Sequence, residues 1–190
     1  MNQSRSKSQP RWTDVTAKLT SFDRPALLGL IQDLYSSHKD NQTFLHTRLG
    51  LGEDVLRPYK ETIDCWLWPD AFSRQVPSVL KAKHAISNYK KAVGDPAGRA
   101  ELMVFYCEQA SGFASDLGYQ DESYLNSLVR MFERALTIAP TLPASGRDAL
   151  VARLDRVRTT GRKCGYGVGD DMDSILAKHA QRKDRQSKRR

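Results

Sequence analysis

The sequence predicts an all-α fold, and three observations carry that prediction. Apolar residues recur at intervals of three and four along most of the chain, which places them on one face of a helix. Capping residues, glycines and prolines mark the ends of these segments. No segment shows sustained alternation of apolar and polar residues between hairpin turns, the pattern of a half-buried strand. We therefore expect about seven or eight helices, arranged as a bundle or as helical hairpins.

The first two predicted helices lie in the N-terminal quarter of the chain. A short helix contains Val15 and Leu19, and the next one follows a cap at Ser21 or Asp23, with Pro25 in its first turn. This second helix carries a broad apolar stripe, made of Leu27, Leu28, Leu30, Ile31, Leu34 and Tyr35. Such stripes normally face a core, so we expect this one to help hold the fold together.

The same signals delimit the later helices. Asp40 or Asn41 is the predicted cap of the third helix, and Asp121 is the predicted cap of a later one. Two further helices are predicted to follow Ser78 and Asp95-Pro96, and the predicted helix ends are Gly50, Pro69, Gly94, Gly118, Pro140 and Gly161. A chain of 190 residues usually forms one domain. We predict a disordered basic arm over 1–11, a single helical domain over 12–176 and a basic C-terminal tail over 177–190.

The net charge of +8 is concentrated in the two ends of the chain. Residues 1–11 contribute +3 and residues 177–190 contribute +6, whereas 12–176 sum to −1. The basic residues of the tail are Lys178, Arg182, Lys183, Arg185, Lys188, Arg189 and Arg190. They can attract RNA or DNA phosphates. We expect no sequence specificity, because the tail has no aromatic residues for base stacking and no residues arranged for base readout. Attraction by the helical domain would need a local patch that a charge sum does not reveal.

The composition indicates a cytoplasmic protein with no membrane segment. The three cysteines are widely separated and form no C-x-x-C pair, which argues against disulfides and zinc. No apolar run approaches the roughly 18 residues of a membrane span. The first eleven residues also lack the apolar stretch of a signal peptide.

The most unusual local segment is GYGVGDDMD, over 165–173. One interpretation is a glycine loop that presents Asp170, Asp171 and Asp173 to a divalent cation, as a metal-dependent enzyme would need. The segment lacks the ligand spacing of an EF-hand and the lysine of a phosphate-binding loop. The interpretation that we favour is structural: glycines adopt positive φ after one helix, and Asp170 or Asp171 caps the next.

No other pattern indicates catalysis, and no cofactor fingerprint occurs. The histidines form no H-x-x-x-H pair, and Cys107, within an amphipathic segment, is interpreted as a buried structural thiol. Trp66 and Trp68 lie on different faces of a helix end. One indole is expected in the core, and the other, beside Phe72, is a candidate protein interface. Lys81, Lys83, Lys90 and Lys91 can form a basic ridge or a solvated face.

Eight blocks of sequence resemble a bacterial family of helical domains of unknown function. They are LLGLIQDLY with DNQTFLHTRL (27–49), VLRPYK (55–60), WPD (68–70), KAKHAISNYKKAVGDPAG (81–98), AELMVFYCEQA (100–110), DLGYQDESY (116–124) and GYGVGDD (165–171). The resemblance implies a cytoplasmic bacterial protein, and it implies no activity, cofactor or catalytic residue.

The sequence therefore favours a non-enzymatic helical interaction or adaptor module. Its domain would bind a protein partner, and its basic ends would add nonspecific attraction to nucleic acid. Two other hypotheses stay open: a metal-dependent enzyme that uses the acidic loop, and an antitoxin-like regulatory subunit. The sequence does not fix the oligomeric state.

Overall fold

The structure, a computed structural model, describes residues 9–70 and 74–187, with side chains described up to Ala180. Within these residues there are nine α-helices and no strands, so the predicted all-α class is confirmed. The helices are α1 Trp12–Leu19, α2 Arg24–Ser37, α3 Lys39–Arg48, α4 Arg57–Leu67, α5 Val79–Ala92, α6 Pro96–Leu117, α7 Glu122–Ile138, α8 Ala144–Gly161 and α9 Val168–Ser187. A 3₁₀ turn, Ala139–Thr141, follows α7.

Acidic side chains cap three of the helix starts, and two of these caps, Asp23 and Asp121, were predicted from the sequence. The carboxylate of Asp23 accepts a hydrogen bond from the amide of Ala26, and that of Asp121 accepts one from Tyr124. Asp95 caps α6 twice, through the amides of Ala97 and Gly98. Each of these bonds satisfies an amide that has no partner within its own helix, which is why the sequence located these starts well.

The start of α3 differs from the prediction. The helix begins at Lys39, so Asp40 and Asn41 lie in its first turn instead of capping it. The ring nitrogen Nδ1 of His38 accepts a hydrogen bond from the amide of Asp40 at 3.2 Å. The side chain of Asn41 instead donates to the carbonyl oxygen of Leu34, at 2.7 Å. The ring of His38 therefore accepts a hydrogen bond from the first turn of α3, the role that the sequence analysis assigned to the side chain of Asp40 or Asn41.

The chain divides into two units, Met1–Leu45 and His46–Arg190. In the first unit, α1 and α2 contain no buried residue. The prediction that the α2 stripe packs into a core is therefore wrong. Helical periodicity specifies which side chains share a face, but it does not specify that another element covers that face.

The second unit holds the buried core, and α6 lies at its centre. This helix contacts α4, α5, α7 and α8, and α9 packs against α7 and α8. Eleven residues of α6 are buried, including Leu102, Tyr106 and Cys107. Helix α9 runs without a break across residue 177, where the sequence placed the start of the tail. Its inner face is formed by Val168, Met172 and Ile175.

An ion-pair cluster connects three helices of this unit. Arg153 of α8 binds Glu108 with two hydrogen bonds, of 2.8 and 2.6 Å, and it also donates to Glu101. Lys60 of α4 donates to Glu101 at 2.7 Å. Burial alone would raise the pKa of Glu101, but the hydrogen bonds from Arg153 and Lys60 outweigh burial and lower it. The cluster therefore joins α4, α6 and α8 through charged hydrogen bonds.

Candidate functional site

Two surface features distinguish the described part of the chain: an apolar face on α2 and a cavity lined by basic side chains in the second unit. The α2 apolar face consists of Leu28, Leu30, Ile31 and Leu34. Leu28 is 57% exposed and Leu34 is 51% exposed. A group of exposed large apolar side chains on one helix is informative, whereas a single exposed leucine is not. Three further apolar side chains in the same unit, Trp12, Val15 and Phe22, are also exposed.

The helices that carry these side chains are short. Helix α1 has 8 residues and α2 has 14, and isolated helices of fewer than about 12–15 residues are marginal in water. Local bonds contribute to their stability, through the Asp23 cap and the bond from Asn41 to Leu34. Exposed apolar patches on the order of several hundred Å² commonly mark protein interaction sites. The α2 apolar face can therefore bind another apolar surface.

The candidate interface at Trp66 and Trp68 is only partly exposed, because both indoles pack against the core. The ammonium group of Lys81 lies 3.5 Å from the ring centre of Trp66, a cation–π contact. The ring of Trp68 lies 6.2 Å from that of Phe113, edge to face, and it also covers Gly112. Phe72, the third residue of this predicted interface, lies outside the described residues.

The predicted tail residues are only partly covered by the structure. Lys178 is exposed on α9. The helix extends through Arg182, Lys183 and Arg185, but their side chains lie outside the description, as do Lys188, Arg189 and Arg190 entirely. Residues 1–8 of the predicted basic arm also lie outside it.

The glycine loop connects α8 to α9 through three consecutive positive-φ residues. Gly165 has φ of 76°, Tyr166 of 48° and Gly167 of 69°. The two glycines adopt this left-handed backbone without the steric cost that a side chain would add. Asp170 and Asp171 then lie exposed in the first turn of α9, where a negative charge interacts favourably with the helix dipole.

The third carboxylate of the loop, Asp173, faces α8. It accepts hydrogen bonds from Arg158 at 2.7 Å and from Arg162 at 3.0 Å, which lower its pKa. No group of three or more His, Cys, Asp or Glu side chains in the described parts of the chain is arranged to hold a metal ion. The loop therefore connects two helices, and its carboxylates face different surroundings.

Two of the three thiols are buried. Cys107 is fully buried in α6, and burial, with a smaller effect from Glu108, raises the pKa of its thiol well above the ordinary value. Cys164 is also buried, and its thiol donates weakly to the carbonyl oxygens of Ser111 and Thr160. Cys65 is exposed.

The four lysines that were predicted to form a ridge on α5 lie in different surroundings. Lys81 contacts Trp66, and Lys91 is exposed. Lys83 and Lys90 instead line a cavity of about 370 Å³ between α5, α6 and α7. Two arginines that the sequence analysis did not single out, Arg99 of α6 and Arg134 of α7, line it as well. Their participation could not be found from spacing, because these residues come from three different helices.

None of the helices in the described part of the chain has the length and apolar character required to cross a bilayer. Comparisons with protein-family models, with curated proteins and with solved structures find no match for this chain.

Proposed function

We propose that the protein is a non-enzymatic helical interaction module that associates through the α2 apolar face. The observation that supports this proposal is an amphipathic helix with four large aliphatic side chains in solvent and no buried residue. Covering such side chains is favourable, at about 25 cal/mol for each Å² of apolar surface removed from water. A partner that covers the whole α2 apolar face would therefore stabilise both the complex and helix α2.

The occupant that we propose is a second copy of the chain. Each copy carries an exposed apolar helix, so two copies supply matching chemistry, and a twofold pair covers both faces at once. Over 12–37 the charges are Lys18 and Arg24 against Asp14, Asp23 and Asp33, a net charge of −1. Two such segments therefore repel each other very little, and no strongly charged partner is required to balance them.

Association of the full chain can be measured by sedimentation velocity across a range of protein concentrations. We expect a concentration-dependent dimer, and we expect I31E with L34E to weaken it at least tenfold, because charges would be buried in an apolar contact. S36E is the matched control, since Ser36 is exposed on the opposite side of α2. A chain that stays monomeric throughout, or equal weakening by S36E, would contradict the proposal.

The basic tail would add attraction to nucleic acid. Its affinity should fall steeply with salt, because binding to phosphates releases counterions. Filter binding of RNA and DNA over a salt series can compare the full chain with a variant in which Lys178, Arg182, Lys183 and Arg185 are changed to glutamine. We expect the variant to bind more weakly and with a shallower salt dependence. Equal affinity and salt dependence would exclude these residues as the source of attraction.

A further inference from the structure

A second binding site is indicated by the cavity between α5, α6 and α7, which we call the basic cavity. Its charged lining consists of Lys83, Lys90, Arg99 and Arg134, with His84 at its edge, and it includes no carboxylate. None of the four cations forms an ion pair within the described residues. By comparison, Arg153 and Arg158 each bind two carboxylates.

Lys83 lies close enough to Arg134 for the two positive charges to oppose each other. Burial lowers the pKa of Lys83, and the positive charges of Arg134 and Arg130 lower it further. Arg99 has an unsatisfied hydrogen-bond donor, since its Nε is buried and has no acceptor in the described part of the protein. A buried donor without an acceptor normally costs free energy, so an incoming oxygen anion would both neutralise charge and satisfy this group.

Nearby acids do not neutralise the cavity. Asp121 and Glu122 line an adjoining depression that shares Lys83 and includes Arg130, but neither acid lies within ion-pair distance of these cations. Asp121 is instead engaged by the amide of Tyr124 as the α7 cap. The positive charge of the basic cavity is therefore available to a ligand.

The shape and the floor of the basic cavity restrict the ligand further. Its volume of about 370 Å³ falls in the range of small-molecule sites. Buried Ile86, Met103 and Met131 form an apolar floor, and Ser87 supplies a hydroxyl group. The cations converge from three helices on one concave site, whereas a nucleic-acid backbone is usually followed by an extended groove or stripe. This geometry suits a compact ligand with several negative charges.

We infer that the basic cavity binds a small polyphosphate, with Lys90, Arg99 and Arg134 contacting its phosphate oxygens. Two sources share this chemistry: a free inorganic oligophosphate and the phosphate chain of a nucleotide. Arginine is well suited to such oxygens because its guanidinium group can donate two parallel hydrogen bonds. None of the residues of this site belongs to the α2 apolar face or to the basic tail.

The inference is tested by isothermal titration calorimetry on the full chain, with inorganic triphosphate and ATP as probes, without added divalent cations. We expect both probes to bind, and R134Q and K90Q each to weaken binding about tenfold or more, as expected for the loss of a charge-assisted contact. Two matched controls carry the same change outside the cavity: K91Q, adjacent to Lys90 on α5, and R156Q, exposed on α8. They should change affinity less than twofold.

The outcomes separate the possible sources and exclude the competing explanations. Tighter binding of ATP than of triphosphate would assign the site to a nucleotide, whose organic part covers the apolar floor, while equal or weaker binding would assign it to an oligophosphate. Absence of heat with both probes would overturn the inference. Equal weakening by the cavity and control variants would also overturn the inference, since the attraction would then come from the overall charge and not from the cavity. Binding of a single-stranded oligonucleotide without binding of triphosphate would overturn it as well.

Discussion

The ring of Tyr89 on α5 lies directly against Gly98 in the first turn of α6. A β-carbon on Gly98 would lie 2.0 Å from the hydroxyl oxygen of Tyr89 and 2.6 Å from the ring carbon that bears it. The same hydroxyl group donates to Asp95 at 3.5 Å, and Asp95 also accepts the amide of Gly98. The absence of a side chain at residue 98 therefore allows α5 and the cap of α6 to pack together.

Substitution of Gly98 by alanine should destabilise the protein by about 1–3 kcal/mol, because the buried Tyr89 ring has little space in which to move. Urea denaturation followed by circular dichroism measures the change. G146A is the matched control, since a β-carbon at Gly146 would meet no atom within 4 Å. It should be neutral or stabilise by up to about 1 kcal/mol. Equal effects of G98A and G146A would show that the contact does not matter.

The Arg153 cluster should contribute measurably to stability. R153Q removes both hydrogen bonds to Glu108 and the contact with Glu101, and it leaves two carboxylates in half-buried positions. We expect a loss of about 1–3 kcal/mol at pH 7, less than for a fully buried pair because all three side chains retain some exposure. R156Q removes an exposed arginine from the same helix and should have little effect.

The effect of R153Q should also depend on pH. The pKa of Glu101 is lowered in the folded protein, so its ionised form contributes stability above the unfolded pKa of about 4.3. That contribution is lost as the pH falls through the lower folded pKa. The difference in unfolding free energy between the wild type and R153Q should therefore shrink as the pH falls below about 4.3 and through the lower pKa of Glu101 in the folded protein. A difference that does not change with pH would mean that packing, not charge, explains the loss.

One of the three thiols should react fast with a thiol reagent, and the other two should react slowly. Cys65 is exposed, whereas Cys107 and Cys164 are buried and burial raises the pKa of both thiols. Because the thiolate is the reactive species, Ellman's reagent should modify one thiol in the native chain and all three after unfolding. C65S should abolish the fast reaction. Fast modification that persists in C65S would show that Cys107 or Cys164 is accessible.

The features that could be predicted from the sequence are those that depend on neighbouring residues. The caps at Asp23 and Asp121 were located because each uses an amide three residues away. Whether the α2 stripe is buried could not be predicted from neighbouring residues, because burial depends on a second surface that covers the stripe. The basic cavity was also missed, because a net charge of −1 over 12–176 contains no information on how Lys83 and Arg134 are placed in space.

Asp173 provides a further test, because it connects two helices, whereas Asp155 stays within one. Both acids bind Arg158, at 2.7 Å from Asp173 and 2.8 Å from Asp155, but Asp155 belongs to α8 with Arg158 while Asp173 belongs to α9. D173N should therefore increase hydrogen exchange of the α9 amides, since it removes the negative charge and one of the two oxygens that bind Arg158 and Arg162. D155N is the matched control and should leave α9 protection close to that of the wild type.

The same pair of variants separates a structural role of Asp173 from a role in metal binding. Protection of α9 in the wild type should not change on addition of Mg²⁺ or Mn²⁺, because the carboxylate of Asp173 is already occupied by two guanidinium groups. Exchange mass spectrometry with and without each ion measures this. An increase in protection that requires the ion and disappears in D173N would contradict the structural assignment and would favour a metal site in the acidic loop.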